Sequence, residues 1–97
     1  MEKQYYIYLL ASKRNGTLYI GVTSNLVSRV WQHKNKITQG FNQKYHVDKL
    51  VYYEIFDNIG EAIKREKRLK FYRRIQKIQL IEKDNPEWND LYASVCY

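Results

Sequence analysis

The chain predicts an α+β fold: a small three-stranded antiparallel sheet, made of a hairpin plus a third strand, flanked by about three helices. Two runs rich in tyrosine, isoleucine and leucine, separated by a glycine-containing turn, give the hairpin. Helical periodicity dominates later, with too few crossovers for a parallel sheet. With 97 residues and no internal repeat, linker or low-complexity stretch, residues 1–97 form a single domain with one modest core.

The first strand spans Tyr5 to Ala11 and the second Thr17 to Val22, with Arg14-Asn15-Gly16 in the turn. Side chains alternate along a strand, so Tyr6, Tyr8 and Leu10 share one face of the first, while Tyr19 and Gly21 oppose Leu18 and Ile20 on the second. In a suitable register Tyr8 and Tyr19 bring their hydroxyls together. Gly21 either lets a backbone or a substrate approach closely or simply ends a strand. Thr23-Ser24-Asn25 supplies capping oxygens for a helix over Leu26 to Asn35, with Leu26, Val30 and Val27 inward. Arg29 and His33, four apart, are neighbours on its surface. Lys36 to Lys49 reads as a loop, and Leu50 to Phe56 as the third strand. Asn58 and Glu61 form a capping-box pattern that opens a helix over Ile59 to Tyr72, with Ile59, Ala62, Ile63 and Leu69 inward. A last helix over Arg74 to Lys83 buries Ile75, Ile78 and Ile81 before Pro86.

Charge narrows the partner class. Against 10 Asp and Glu stand 17 Lys and Arg, a net charge of +7, which favours a polyanion such as nucleic acid, although a basic soluble surface has the same composition. The single cysteine, Cys96, excludes an internal disulfide and suits a reducing compartment. No run is long enough to span a bilayer and no signal-peptide pattern is present, so no membrane partner is expected and a cytoplasmic location is. Asn15-Gly16-Thr17 matches a glycosylation tripeptide of a kind common by chance.

Glu66 falls between Ala62, Ile63 and Leu69, within the inward stripe of its helix. A buried carboxylate costs several kcal/mol unless it is paired, hydrogen-bonded or bound to a metal. It therefore meets a neighbouring cation, emerges at the rim of a rotated helix, or holds an ion. On the pattern alone the structural readings are the commoner ones.

The triplets Tyr6-Ile7-Tyr8 and Tyr19-Ile20-Gly21, followed by Arg29 and His33, resemble the GIY-YIG endonuclease superfamily, and nearly the whole chain resembles its small stand-alone YhbQ-like bacterial members. Leu50-Val51-Tyr52-Tyr53-Glu54, Arg65-Glu66-Lys67, Asn85-Pro86-Glu87-Trp88 and the Gly40-Phe41 loop extend the likeness. Tyr6 stands where the family name has glycine, as the subgroup tolerates, and Val22 stands where several relatives carry lysine. The resemblance implies a metal-dependent DNA endonuclease, an enzyme of DNA repair or processing, with catalytic residues Tyr8, Tyr19, Arg29, His33 and Glu66. It makes Glu66 the sole protein ligand of a divalent ion.

One carboxylate with several waters suits Mg²⁺, with Mn²⁺ as a substitute. Arg29 would stabilise charge on the phosphate with its rigid fork. The resemblance makes Tyr8 the general base, but a free phenol with a pKa of about 10 needs positive charge nearby, which leaves His33, ordinarily at about 6.5, as the rival base. Tyr19 and His33 otherwise position or relay protons.

Gly21, Lys64, Lys67, Lys70, Arg73 and Asn85 are the candidate substrate contacts. Asn85 either approaches the phosphate or ends a helix before Pro86. The basic run from Lys64 to Lys77 is part solvated face and part phosphate track, with little sequence specificity expected. Gly40 to Tyr45 either stacks unpaired bases or pins the loop to the body, leaving single-stranded, flap and duplex DNA open. The alternative to an enzyme is a non-catalytic nucleic-acid-binding module on the same scaffold.

Overall fold

Five consecutive residues of the first strand, Ile7 to Ala11, are buried, which requires cover on both faces of the sheet. The computed structural model describes residues 3–35 and 46–96; the candidate stacking loop from Gly40 to Tyr45 lies outside them. Strands β1 (Tyr5–Ala11), β2 (Leu18–Thr23) and β3 (Lys49–Phe56) form an antiparallel sheet in the order β2-β1-β3. The predicted hairpin-plus-strand architecture and its α+β class are therefore observed. At the hairpin tip Asn15 takes a left-handed φ of 59°, and the Gly16 N–H donates to Lys13 O at 2.9 Å.

The alternation of β1 divides the core in two. Tyr8 and Leu10 pack with Leu26, Val30, Val47 and Leu50 under α1 (Leu26–Lys34). On the other face, Ile7, Leu9 and Ala11 pack with Ile20, Val51, Ala62, Leu69, Ile81 and Trp88 under α2 (Ile59–Lys70) and α3 (Arg74–Asp84). A register shift at Leu9/Leu10 on the β3 side lets adjacent Leu50 and Val51 serve opposite faces. Asn25, one of the three residues that offered a capping oxygen, caps α1 by accepting from Ser28 N–H at 3.1 Å, and Asn58 caps α2 as expected by accepting from Glu61 N–H at 3.2 Å.

Three expected core positions are corrected. Ile59, Ile63 and Ile75 are exposed, at 44%, 37% and 56%. The inward stripe of α2 runs through Ala62 and Leu69 with Arg65 and Glu66 half-buried between them, which turns both isoleucines to the flank. On α3 burial begins at Ile78 and is complete at Ile81. Val27 is half-buried, and His33 takes the third buried position of α1.

The four-residue α4 (Tyr92–Val95) is too short for a periodic signal. Its segment closes the α1 face. Leu91 N–H donates to Leu50 O at 2.7 Å, Leu50 N–H donates to the Asp90 carboxylate at 3.1 Å, and the same carboxylate pairs with Lys34.

Candidate active site

Tyr8 and Tyr19 come from paired strands and His33 from the helix laid across them. The register puts Tyr8 opposite Gly21 and Leu10 opposite Tyr19, so the two phenols are diagonal neighbours on the α1 face. Their ring centroids lie 6.2 Å apart, and the His33 ring is 6.0 Å from Tyr8 and 5.4 Å from Tyr19. Tyr8 Oη and His33 Nε2 are 3.2 Å apart. With the imidazole proton on Nδ1, the phenol donates to Nε2.

Gly21 makes this packing possible. A Cβ there would sit 2.4 Å from Tyr8 Oη and 2.5 Å from its Cζ, so the aromatic ring occupies the space a side chain would need. Its role in the structure is close approach by Tyr8.

Arg29 is half-exposed, one turn before His33. Its Nη1 donates to Gln32 Oε1 at 3.0 Å, a support absent from the sequence reading although the i,i+3 spacing could have suggested it. Burial alone would lower the Arg29 pKa, but Tyr8 and then Tyr19 hold it above its ordinary value. Burial pushes the Tyr8 phenol up to about 12, Tyr19 adds to the rise, and Arg29 opposes it without prevailing. Burial, followed by the Arg29 charge, pulls His33 down to about 4, against a weaker opposing pull from Asp48. At neutral pH the resting site thus holds a neutral phenol donating to a neutral imidazole, with a fixed cation beside them.

Glu66 stands apart from this group in its described contacts. It lies on α2, which packs on the Leu9 face, and its side chain, 15% exposed, pairs through the carboxylate with Lys70 Nζ at 3.1 Å. Among the described residues no cluster of three or more His, Cys, Asp and Glu side chains could hold a metal. A single half-buried carboxylate, a hard oxygen donor leaving most positions to water, nevertheless has the chemistry that Mg²⁺ accepts.

Asn85 is corrected from substrate contact to structural support. It is the C-cap of α3 and 6% exposed; its amide donates to Val51 O at 3.1 Å and Asn89 O at 2.9 Å and accepts from Asn89 N–H at 3.0 Å. That leaves the helix-ending reading of the two.

The basic run also divides. Arg65 donates with Nε and Nη2 to the Glu54 carboxylate at 2.9 Å each, and Tyr52 bonds the same carboxylate. Although burial alone would raise Glu54, the hydrogen bonds from Arg65 and Tyr52 hold it below its usual range. Arg74 reaches back to Asn15 O at 2.7 Å and Gly16 O at 2.6 Å. Lys64 meets Glu61 at 3.9 Å in an exposed pair worth little. Lys67, Arg68 and Arg73 are exposed.

Comparison with known proteins gives one consistent result. A family model described as the GIY-YIG catalytic domain matches residues 4–79. A UPF0213 protein of Clostridium perfringens is 41% identical over 76 residues, covering 78% of this chain and 81% of that one. One from Staphylococcus saprophyticus is 36% identical over 81 residues, covering 84% and 96%. The solution structure of a UPF0213 protein from Bacillus halodurans matches with a TM-score of 0.56 at 24% identity, over 90% of this chain and 92% of that one, which shows a shared fold. Among the described residues no helix is long and apolar enough to cross a membrane.

Proposed function

The chain belongs to the GIY-YIG catalytic-domain family, which is generally one of nucleases, and we propose on that premise that it is a Mg²⁺-dependent DNA endonuclease with little sequence specificity, acting in DNA repair or processing. The observation that carries the reading is the Tyr8–His33 hydrogen bond, with the Arg29 charge acting on Tyr8 and His33.

In this reading Arg29, steadied by Gln32, donates to a non-bridging oxygen of the scissile phosphate and stabilises the charge that builds there during attack. A phenol held near 12 is a poor base by itself. Tyr8 therefore passes its own proton to His33 Nε2 as it receives one from the attacking water, so the imidazole is the acceptor and the phenol the relay. Burial and then the Arg29 charge hold the imidazole neutral at rest, and the negative phosphate offsets the second of these. Tyr19, against both rings, positions them.

Glu66 is the residue that would hold the cation, with Mn²⁺ able to replace Mg²⁺. When bound, the ion would relieve phosphate charge and favour an ionised water. Lys64, Lys67, Lys70 and Arg73 contact the phosphate backbone, positioning DNA without reading bases.

The test incubates purified protein with labelled single-stranded and duplex DNA, with Mg²⁺, Mn²⁺ or a chelator, beside Glu66→Ala. The wild type cleaves with either ion and stops with chelator. The variant loses cleavage while DNA affinity stays within a few-fold, and affinity falls with salt at a log-log slope of roughly −3 to −5. Equal cleavage by both proteins removes Glu66 from the reaction; binding without cleavage by the wild type replaces the enzyme with a binding module.

A further inference from the structure

The turn between α2 and α3 carries an aromatic side chain that the fold does not use. Phe71 is the C-cap of α2 and is 90% exposed. The backbone beneath it is fixed: Phe71 N–H donates to Arg68 O and Tyr72 N–H to Leu69 O, both at 3.1 Å. Adjacent Tyr72 anchors the turn, half-buried against the Arg65 guanidinium, which lies 5.9 Å from its ring centroid. Phe71 alone of this pair is left in solvent.

Its surroundings define the partner. Lys67, Arg68, Lys70 and Arg73, all exposed, flank it in sequence. Arg74, bonded to the carbonyls of Asn15 and Gly16, ties the turn to the hairpin tip and its exposed Lys13. This concentration of positive charge repels a second copy of the same surface and attracts a polyanion. A polyanion that also offers flat aromatic faces is a nucleic acid, and its faces are open where bases are unpaired.

We propose that Phe71 is a stacking platform for an unpaired base, with the adjoining cations holding the flanking phosphates. The proposal rests on the nucleic-acid reading above and adds a structural preference to it.

The test measures binding in chelator, where no cleavage intervenes, to one fluorescent oligonucleotide alone and as a blunt duplex. Phe71→Ala is expected to weaken single-strand binding by about 5- to 100-fold and duplex binding by less than about twofold. Phe71→Trp retains single-strand affinity, whereas Phe71→Leu, apolar but without a π face, loses it. Thermal melting of the variants reports folding directly. Wild-type affinity in Phe71→Leu, or equal losses on both DNAs, overturns the proposal. So does sedimentation showing a wild-type dimer that Phe71→Ala dissociates, because the face is then a self-association surface. Mg²⁺-dependent cleavage by the wild type is scored separately: its absence with the Phe71 discrimination intact removes the nuclease reading alone, and its presence without that discrimination removes the stacking platform alone.

Discussion

Tyr8 and Leu9 are neighbours on β1, yet they enter cores of different chemistry. Leu9 shares a core with Ile20, Val51, Ala62, Leu69 and Ile81, and the polar groups on that face are paired, in the Glu54–Arg65–Tyr52 cluster, the Glu66–Lys70 pair and the Asn85 hydrogen bonds. Tyr8 meets apolar Leu26 and Val30, but its hydroxyl and the His33 imidazole are buried with it. A buried neutral donor–acceptor pair adds little net stability, and either partner left alone is costly. The α2 face thus holds the sheet together through apolar packing and paired charges, and in the proposed reaction it also supplies Glu66. The α1 face instead buries a donor–acceptor pair beside a guanidinium, the pair that carries the proton in the proposed reaction.

The largest effects come from separating these two neighbours. Leu9→Ala deletes core volume and is expected to cost about 2–5 kcal/mol of stability, with cleavage per folded molecule little changed. Tyr8→Phe removes one oxygen together with its hydrogen bond to the buried His33 and costs about 1–3 kcal/mol in folding. Cleavage falls by about 10²- to 10⁴-fold as the relay is lost. Urea unfolding and single-turnover cleavage, measured on both variants, check the contrast. Comparable losses of stability and activity in the two proteins would mean that the faces are not specialised.

Gly21→Ala sharpens the comparison from inside the hairpin. Its new Cβ meets Tyr8 Oη at 2.4 Å, so the ring must move away from His33. We expect a stability loss of about 1–3 kcal/mol together with a loss of cleavage like that of Tyr8→Phe. The double variant Gly21→Ala/Tyr8→Phe should then lose less cleavage than the two single losses multiplied, since both act on one hydroxyl.

Much of this division was legible in the sequence. Period-two alternation put Tyr8 and Leu9 on opposite faces, and Asn25 and Asn58 announced their helices by side-chain chemistry acting over three residues. The parts that escaped depend on contacts between distant segments. Gly21 beneath Tyr8 requires the strand register. The exposure of Ile59 and Ile63 requires the rotation of α2, fixed partly by Arg65 reaching Glu54, a partner hidden inside a run of basic residues. Asn85 looked equally suited to phosphate or backbone until Val51 O and Asn89 supplied the hydrogen bonds. The four residues of α4 are too few for a periodicity to show.

The smallest effect distinguishes the two faces by pH. His33 is held down to about 4, below its ordinary 6.5, so folding favours its neutral form. Above about pH 6.5 neither folded nor unfolded imidazole is protonated, and the full stability is present. Between about 6.5 and 4 the unfolded chain binds a proton that the folded chain refuses, so stability declines as pH falls through that window, by on the order of 2 kcal/mol. Glu54 has the opposite chemistry and a lower window: held below its ordinary 4.5, its contribution is present above that value and is lost as pH falls through the folded pKa. Mild acid therefore weakens the α1 face first. Urea midpoints at about pH 7.5, 6 and 5 should fall in the wild type and flatten in His33→Gln, whereas Glu54→Gln should keep the wild-type slope over the same range. An equal slope in His33→Gln would place the titrating group elsewhere and remove the buried neutral imidazole from the account of the α1 face.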